Sequence, residues 1–133
     1  MHTTQVLELP FPFNANHLEP DLRYGEGGLR LGMLYLEEGG KRSAWLRFVK
    51  ARAFRWRAEL YCTSWHVEAF DRVLEVHDSD WVAELLERSN ENYGAQFHWI
   101  LRHFIVYIDS FGCLEVIAES VVLETGDVTT QYS

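Results

Sequence analysis

The chain has 133 residues, of which 47% are hydrophobic and 14% aromatic, and its 12 basic and 20 acidic residues leave a formal net charge of −8. This composition excludes a disordered chain, and the acidic balance disfavours nucleic acid or an anionic membrane as a partner. The length fits one domain over residues 1–133, which can bury about two thirds of its unfolded surface. No apolar run reaches the ~18 residues of a membrane helix, no signal peptide is recognisable, and Cys62 and Cys113 belong to no CxxC motif. We therefore expect a cytoplasmic protein with reduced thiols.

The first 28 residues predict one peripheral strand followed by a loop. The segment VLELPFPF has strand-forming residues, but Pro10 and Pro12 lack the N–H groups of a strand ladder, so we expect an edge strand or an extended strap. Residues 14–28 are rich in turn formers and predict a loop. Their GEGG stretch lacks the spacing of a phosphate-binding loop, which favours an ordinary turn.

The segment LRLGMLYLEEGGKRSAWLRFVK predicts a β-hairpin, because Gly39 and Gly40 can supply the positive φ angles of a two-residue turn. Counting from that turn places Met33 opposite Leu46. We expect the second strand to continue through ARAFRWRAELYC, with a bulge at 49–53 that accounts for a break in its alternation.

Basic residues are concentrated in this hairpin and its continuation. Residues 41–58 hold seven bases and no acid, so the rest of the chain has five bases and 20 acids, a net charge of −15. Interleaved aromatic residues are typical of sheets that stack single-stranded RNA. The alternation argues against that function. If Phe54 and Trp56 face the core, Arg55 and Arg57 form a solvated face, and we expect acids of adjacent strands to pair with them.

The sequence predicts one main helix at about 79–90. Ser79 can cap its N-terminus, Asp80 adds negative charge at the positive end, and an apolar face begins at Trp81. The segment FDRVLEVHD, residues 70–78, is predicted as a strand with a helix as the alternative, and the pattern leaves open whether 66–77 as a whole is strand or helix.

Other histidines of the chain, such as His77, are candidates for metal binding or catalysis. His77 lies beside Asp78 in the strand exit before the helix cap, which explains these residues without a metal. His66 and His98 are isolated in the sequence. No HExxH, CxxC or GxSxG motif is present, so the sequence predicts neither a metal nor a cofactor.

The chain ends in two long predicted strands, at about 97–109 and 113–124, followed by a polar tail at 126–133 that we expect to be flexible. A three-residue loop with Gly112 in the left-handed region would pair Asp109 with Cys113. The even-numbered residues of this hairpin are almost wholly apolar and are expected to pack against the main helix.

The odd-numbered face of the hairpin carries the candidate ligand-binding residues, which are His103, Tyr107, Glu115 and Glu119. The two carboxylates lie roughly 13 Å apart along one strand, too far for an acid–base pair. Counting from the turn places Tyr107 opposite Glu115 and His103 opposite Glu119, so each carboxylate can work with its cross-strand partner. The simpler interpretation, which we favour, is a solvated face joined by polar pairs.

These patterns predict an α+β fold in which an antiparallel, twisted sheet of about five or six strands carries one main helix on one face. For function, the sequence favours a non-enzymatic, acidic protein-interaction domain, for instance an inhibitor or immunity-type partner of a basic protein. One alternative is a ligand-binding protein or enzyme that uses the odd-numbered face, and another is an RNA-binding sheet. We expect a protein partner rather than nucleic acid or a membrane, and self-association is open.

Overall fold

The computed structural model describes residues 2–10, 16–25, 28–37, 40–94 and 100–125. Within these ranges the strands are β1 (His2–Glu8), β2 (Asn16–His17), β3 (Asp21–Gly25), β4 (Gly28–Glu37), β5 (Gly40–Val49), β6 (Ala53–Ala58), β7 (Arg72–His77), β8 (Arg102–Ile108), β9 (Gly112–Ala118) and β10 (Ser120–Thr125). The helices are α1 (Ser64–Val67), α2 (Asp80–Tyr93) and a 3₁₀ turn at Glu59–Tyr61. The predictions for His98 and for the tail at 126–133 concern residues outside these ranges.

The strands form two antiparallel sheets. The first has the order β1-β7-β8-β9-β6, and the second has the order β10-β5-β4-β2, with β3 also paired to β4. The α+β class, with a five-stranded antiparallel sheet and one main helix, is therefore confirmed. The second sheet is an addition that the sequence pattern did not reveal.

The main core lies between the two sheets. The even-numbered residues of β8 and β9, such as Phe104 and Val116, share one buried cluster with Leu31 and Phe48 of the second sheet. The rings of Phe48 and Phe104 are 6.2 Å apart. The prediction that this face packs against the helix is wrong, because a second sheet offers a wider apolar surface than one half-apolar helix.

Two predicted long strands each divide between the sheets. The chain leaves β5 at Lys50, which has a φ of 52°, and enters β6 in the first sheet. The break in alternation at 49–53 is therefore a change of sheet rather than a bulge. The second crossing is at Glu119, whose N–H donates to the Val49 carbonyl between β9 and β10. Local alternation cannot distinguish a continuing strand from one that changes sheets.

The N-terminal predictions are confirmed at the first strand and wrong in the loop. Strand β1 pairs with β7 at one end of the first sheet, as the prolines after it indicate. Residues 14–28 were predicted as a loop, but β2 and β3 both pair with β4. The free side of β4 supplies ladder partners that outweigh the weak strand propensity of this segment. The strand predicted at 70–78 is confirmed by β7, and the residues at the start of the open range 66–77 belong to α1.

Both hairpins have a register that differs from the prediction by two residues. In the first hairpin Glu37 pairs with Gly40, so Met33 lies opposite Ala44 rather than Leu46. In the last hairpin Ile108 pairs with Gly112 around a loop at 109–111. A shift of two leaves every side chain on its predicted face, because strands alternate with a period of two.

Gly112 is required in the last hairpin. Its φ is +146°, and a Cβ atom there would clash with the backbone carbonyl of Arg57 on β6.

Helix α2 forms as predicted. The Ser79 hydroxyl accepts a hydrogen bond from the Val82 N–H, and Gly94, with a φ of 82°, follows the last residue, Tyr93. The helix lies on the outer face of the first sheet, where the Trp81 ring meets His103 edge-on at 5.4 Å. Neither α-helix in the described ranges is long and apolar enough to cross a membrane.

Candidate ligand-binding site

A cavity of about 420 Å³ lies on the outer face of the first sheet, between the edge strand β6 and the start of α2. Strands β8 and β9 provide its floor, and α1 contributes two residues to its lining. Its lining residues are Arg55, Arg57, Trp65, His66, Ser79, Asp80, Trp81, Glu84, His103 and Glu115.

Glu115 lies at the floor of this cavity and is only 2% exposed. His103 Nε2 lies 2.8 Å from its Oε1, and Arg55 donates to both carboxylate oxygens, at 2.9 and 3.1 Å. Burial by itself would raise the pKa of Glu115, but the hydrogen bonds from His103 and Arg55 outweigh burial and lower this pKa to about 2. The carboxylate is therefore ionised and fully paired at neutral pH.

His103 connects this carboxylate to the cap of α2. The imidazole is 3% exposed, and its Nδ1 lies 2.8 Å from Ser79 Oγ. An ionised Glu115 can only accept, so in the neutral imidazole Nε2 carries the proton and Nδ1 is an acceptor. In that tautomer the Ser79 hydroxyl donates to Nδ1, while its oxygen accepts from the Val82 N–H at 3.2 Å. The result is a continuous chain from the helix cap to the buried carboxylate.

Arg55 joins the edge strand to the helix. It lies directly opposite Glu115 in the β6–β9 ladder, which brings the guanidinium to the carboxylate. The same guanidinium lies 4.2 Å from the centroid of the Trp81 ring, a cation–π contact with α2. The prediction that acids of adjacent strands answer the arginines of β6 is confirmed for this residue.

His66 contributes a second buried imidazole to the cavity. Its Nδ1 accepts from the Thr63 N–H at 3.0 Å, and its Nε2 is 3.9 Å from Glu115 Oε2. Burial, followed by the positive charge of Arg57, lowers the pKa of His66. The sequence left His66 isolated because Glu115, 49 positions later in the numbering, becomes its neighbour only through the fold.

The structure unites two of the four predicted site residues and separates the other two from them. His103 and Glu115 bond to each other, and both are buried, so the expected solvated face is wrong. Tyr107 lies opposite Cys113 beside Phe70, outside the cavity. Burial and the Glu59 carboxylate raise its pKa to about 12.

Glu119 also lies outside the cavity, because it sits at the crossing between sheets. Its carboxylate is 3.3 Å from Lys50 Nζ rather than opposite His103, which pairs with Ile117. The predicted cross-strand pairs, Tyr107 with Glu115 and His103 with Glu119, are therefore wrong, because the register from which they were counted is wrong by two residues.

Sequence reasoning missed Arg55, His66 and Trp81 as site residues, and it assigned Ser79 only to capping. A signal existed for Arg55, which stands in the basic, alternating segment. For His66 the sequence offered none, since an isolated histidine is most often a surface or satisfied core residue.

The RNA and metal interpretations gain no geometric support. Phe54 and Trp56 lie opposite Val116 and Leu114 on the core side of the sheet, but at this edge they are 40% and 38% exposed, so the expectation that the core covers them is wrong. Phe48 is buried between the sheets, and Trp45 on β5 belongs to a different sheet from the two aromatics of β6, so the four rings do not form one stacking surface. His77 stacks on His2 at 4.7 Å instead of meeting a set of ligands. Within the described residues no three His, Cys, Asp or Glu side chains cluster at metal-binding distance.

The fold and site thus define an α+β protein of two antiparallel sheets with a polar cavity beside its main helix. No family model, curated protein sequence or solved structure matches the chain.

Proposed function

We propose that this chain binds a small amphoteric molecule, one that carries both an ammonium and a carboxylate, in the cavity beside α2. The observation that supports the proposal is the distribution of charge around the cavity. Arg57 lines it from β6, while Asp80 and Glu84 line it from α2. Opposite charges on two elements suit a ligand with both charges, since each ligand group then meets a counter-charge.

The floor of the cavity supports the same function. Glu115 and Arg55 neutralise each other at the floor. The charges that remain for a ligand are therefore those of Arg57, Asp80 and Glu84. The volume of about 420 Å³ is within the range of ligand pockets, and the indoles of Trp65 and Trp81 supply apolar surface.

A thermal-shift titration tests this proposal. Glycine, alanine, glutamine and glycylglycine serve as amphoteric probes, with acetate and ethylammonium as singly charged probes. We expect at least one amphoteric probe to raise Tm in a saturable manner, because ligands stabilise the state that binds them. The singly charged probes meet only one side of the cavity and should give little shift.

Glu84→Gln and Glu87→Gln are a matched pair of variants on one helix, since Glu84 lines the cavity and Glu87 is exposed outside it. We expect Glu84→Gln to weaken binding by roughly 10-fold, the value of one charged hydrogen bond, and Glu87→Gln to bind normally. A flat Tm with every amphoteric probe at 10 mM, or equal shifts with acetate, would overturn the proposal.

A second candidate function is capture of a basic protein, and α2 is the feature that favours it. None of its 14 residues, all of them described, is buried, and it carries four acids and one base. An exposed acidic helix attracts a basic surface through long-range electrostatics. A cytoplasmic location is part of this proposal, supported by two free cysteines within the described residues.

Pull-down from the source cells at low and high salt tests the second candidate. We expect a basic protein that is lost as salt rises, because screening weakens such contacts. A variant with Glu84, Glu87 and Glu91 changed to Gln should lose this partner. Recovery of nucleic acid without an enriched protein would contradict the candidate.

A further inference from the structure

We infer that Ser79, His103 and Glu115 form a nucleophile–base–carboxylate triad that hydrolyses esters of small amino acids. This inference rests on the proposed binding function, because it places the substrate in the same cavity. Three contacts carry it. Ser79 Oγ lies 2.8 Å from His103 Nδ1, His103 Nε2 lies 2.8 Å from Glu115 Oε1, and all three residues line one cavity.

The hydrogen bonds from Ser79 to His103 and from His103 to Glu115 run in the direction that activates a hydroxyl. The paired, ionised Glu115 holds the proton on Nε2, which leaves Nδ1 free to take the proton of Ser79. Arg55 fixes the carboxylate by two hydrogen bonds, and the Trp81 ring packs edge-on against the imidazole. Glu115 and Arg55 act through His103 and are positioning residues.

The position of Ser79 before α2 favours the charge that develops during acyl transfer. The first N–H groups of a helix have no acceptor within the helix, and the macrodipole is positive at this end. The oxyanion forms on the carbonyl oxygen of the carbon that is bonded to Oγ, and these N–H groups are the donors that it can reach. The Val82 N–H, which already points at Oγ from 3.2 Å, is the nearest such donor that the structure identifies.

The proposed reaction consumes water and no other reagent. Oγ attacks the ester carbonyl carbon as His103 Nδ1 takes the hydroxyl proton, and the resulting oxyanion collapses as the alkoxide leaves with that proton. Water then attacks the acyl-serine while His103 takes one of its protons. The bond to Oγ breaks, the proton returns to Oγ, and the carboxylic acid leaves.

The charges of the cavity select the class of ester. The ammonium of an amino-acid ester can face Asp80 and Glu84, and the carboxylate produced by hydrolysis can face Arg57. We therefore expect alanine methyl ester to be hydrolysed faster than methyl acetate, by about 10-fold or more for one charged contact.

Covalent labelling and hydrolysis by the full chain test the triad. An alkyl fluorophosphonate should phosphonylate Ser79 with loss of fluoride, and peptide mass spectrometry of the wild-type chain identifies the modified residue. Ser79→Asn keeps a cap at this position but removes the nucleophile, so labelling and hydrolysis should each fall by at least about 100-fold. His103→Asn should lose a similar factor through the missing base.

Ser89→Ala is the matched control, because Ser89 lies on the same helix with its hydroxyl donated to the Leu85 carbonyl. It should label and hydrolyse at the wild-type rate. The triad would be overturned if the wild-type chain is not labelled, or if it is labelled at another residue. It would also be overturned if the Ser79→Asn variant hydrolyses alanine methyl ester as fast as the wild type does. Amphoteric probes that bind an unlabelled protein would leave the proposed binding function standing, whereas labelling of Ser79 without such binding would overturn only the binding function.

Discussion

Replacing Glu115 with Gln removes the negative charge that Arg55 and His103 both contact at the floor of the cavity. The carboxylate is 2% exposed, and its pKa falls from the ordinary 4.5 to about 2 on folding. A drop of that size corresponds to roughly 3 kcal/mol of stability at neutral pH. We expect Glu115→Gln to lose about that much in a urea titration at pH 7, with an unchanged m value.

The pH dependence of the loss identifies its cause. Because the folded pKa of Glu115 is below its unfolded pKa, the stabilisation is complete above pH 4.5 and is lost as pH falls towards about 2. The difference between wild type and Glu115→Gln should therefore shrink between pH 5 and pH 3.

Glu119→Gln provides the matched control, since Glu119 pairs with Lys50 at the surface with a third of its side chain exposed. Its loss should be at most about 1 kcal/mol. Equal losses for the two variants, or a Glu115→Gln loss that is the same at pH 7 and pH 3, would refute the assignment of Glu115 as a buried, ionised partner.

Two further predictions concern the core and the second imidazole. Phe104→Ala should lower the free energy of unfolding by about 3 to 5 kcal/mol in the same titration, because this fully buried ring packs against Phe48 between the sheets. Ile100→Ala, at a 60% exposed position, should lower it by less than about 1 kcal/mol, and equal losses would contradict the two-sheet core. His66→Asn should remove a loss of stability on acidification. The folded pKa of His66 is lowered, so its contribution to stability is complete above pH 6.5 and is lost as pH falls through the folded pKa. Tm measured from pH 7.5 to pH 5 should therefore fall less in the variant, and parallel Tm profiles would show that His66 does not titrate in this range.

Local signals in the sequence determined several elements. Ser79 and Gly94 mark the two ends of α2, because a serine hydroxyl accepts from a first N–H group of a helix and a glycine adopts the positive φ at its end. Pro10 restricts the strand before it to an edge, since a proline cannot donate to a ladder. Alternation placed His103 and Glu115 on one face of the last hairpin, and that placement survives a register error of two residues.

Only the tertiary structure decided which partners those side chains meet. A shift of two residues leaves the faces unchanged but exchanges every cross-strand pair, so Glu115 lies opposite Ile105 instead of Tyr107 and bonds diagonally to His103. Arg55 and Ser79 reach this pair from β6 and from the cap of α2, which are distant in sequence from both residues. The change of sheet after β5 is equally non-local, because β5 finds its ladder partners in β4 and β10 whereas β6 finds its partner in β9. Periodicity reports the face that a residue occupies, whereas burial and pairing depend on which strands and helices pack against that face.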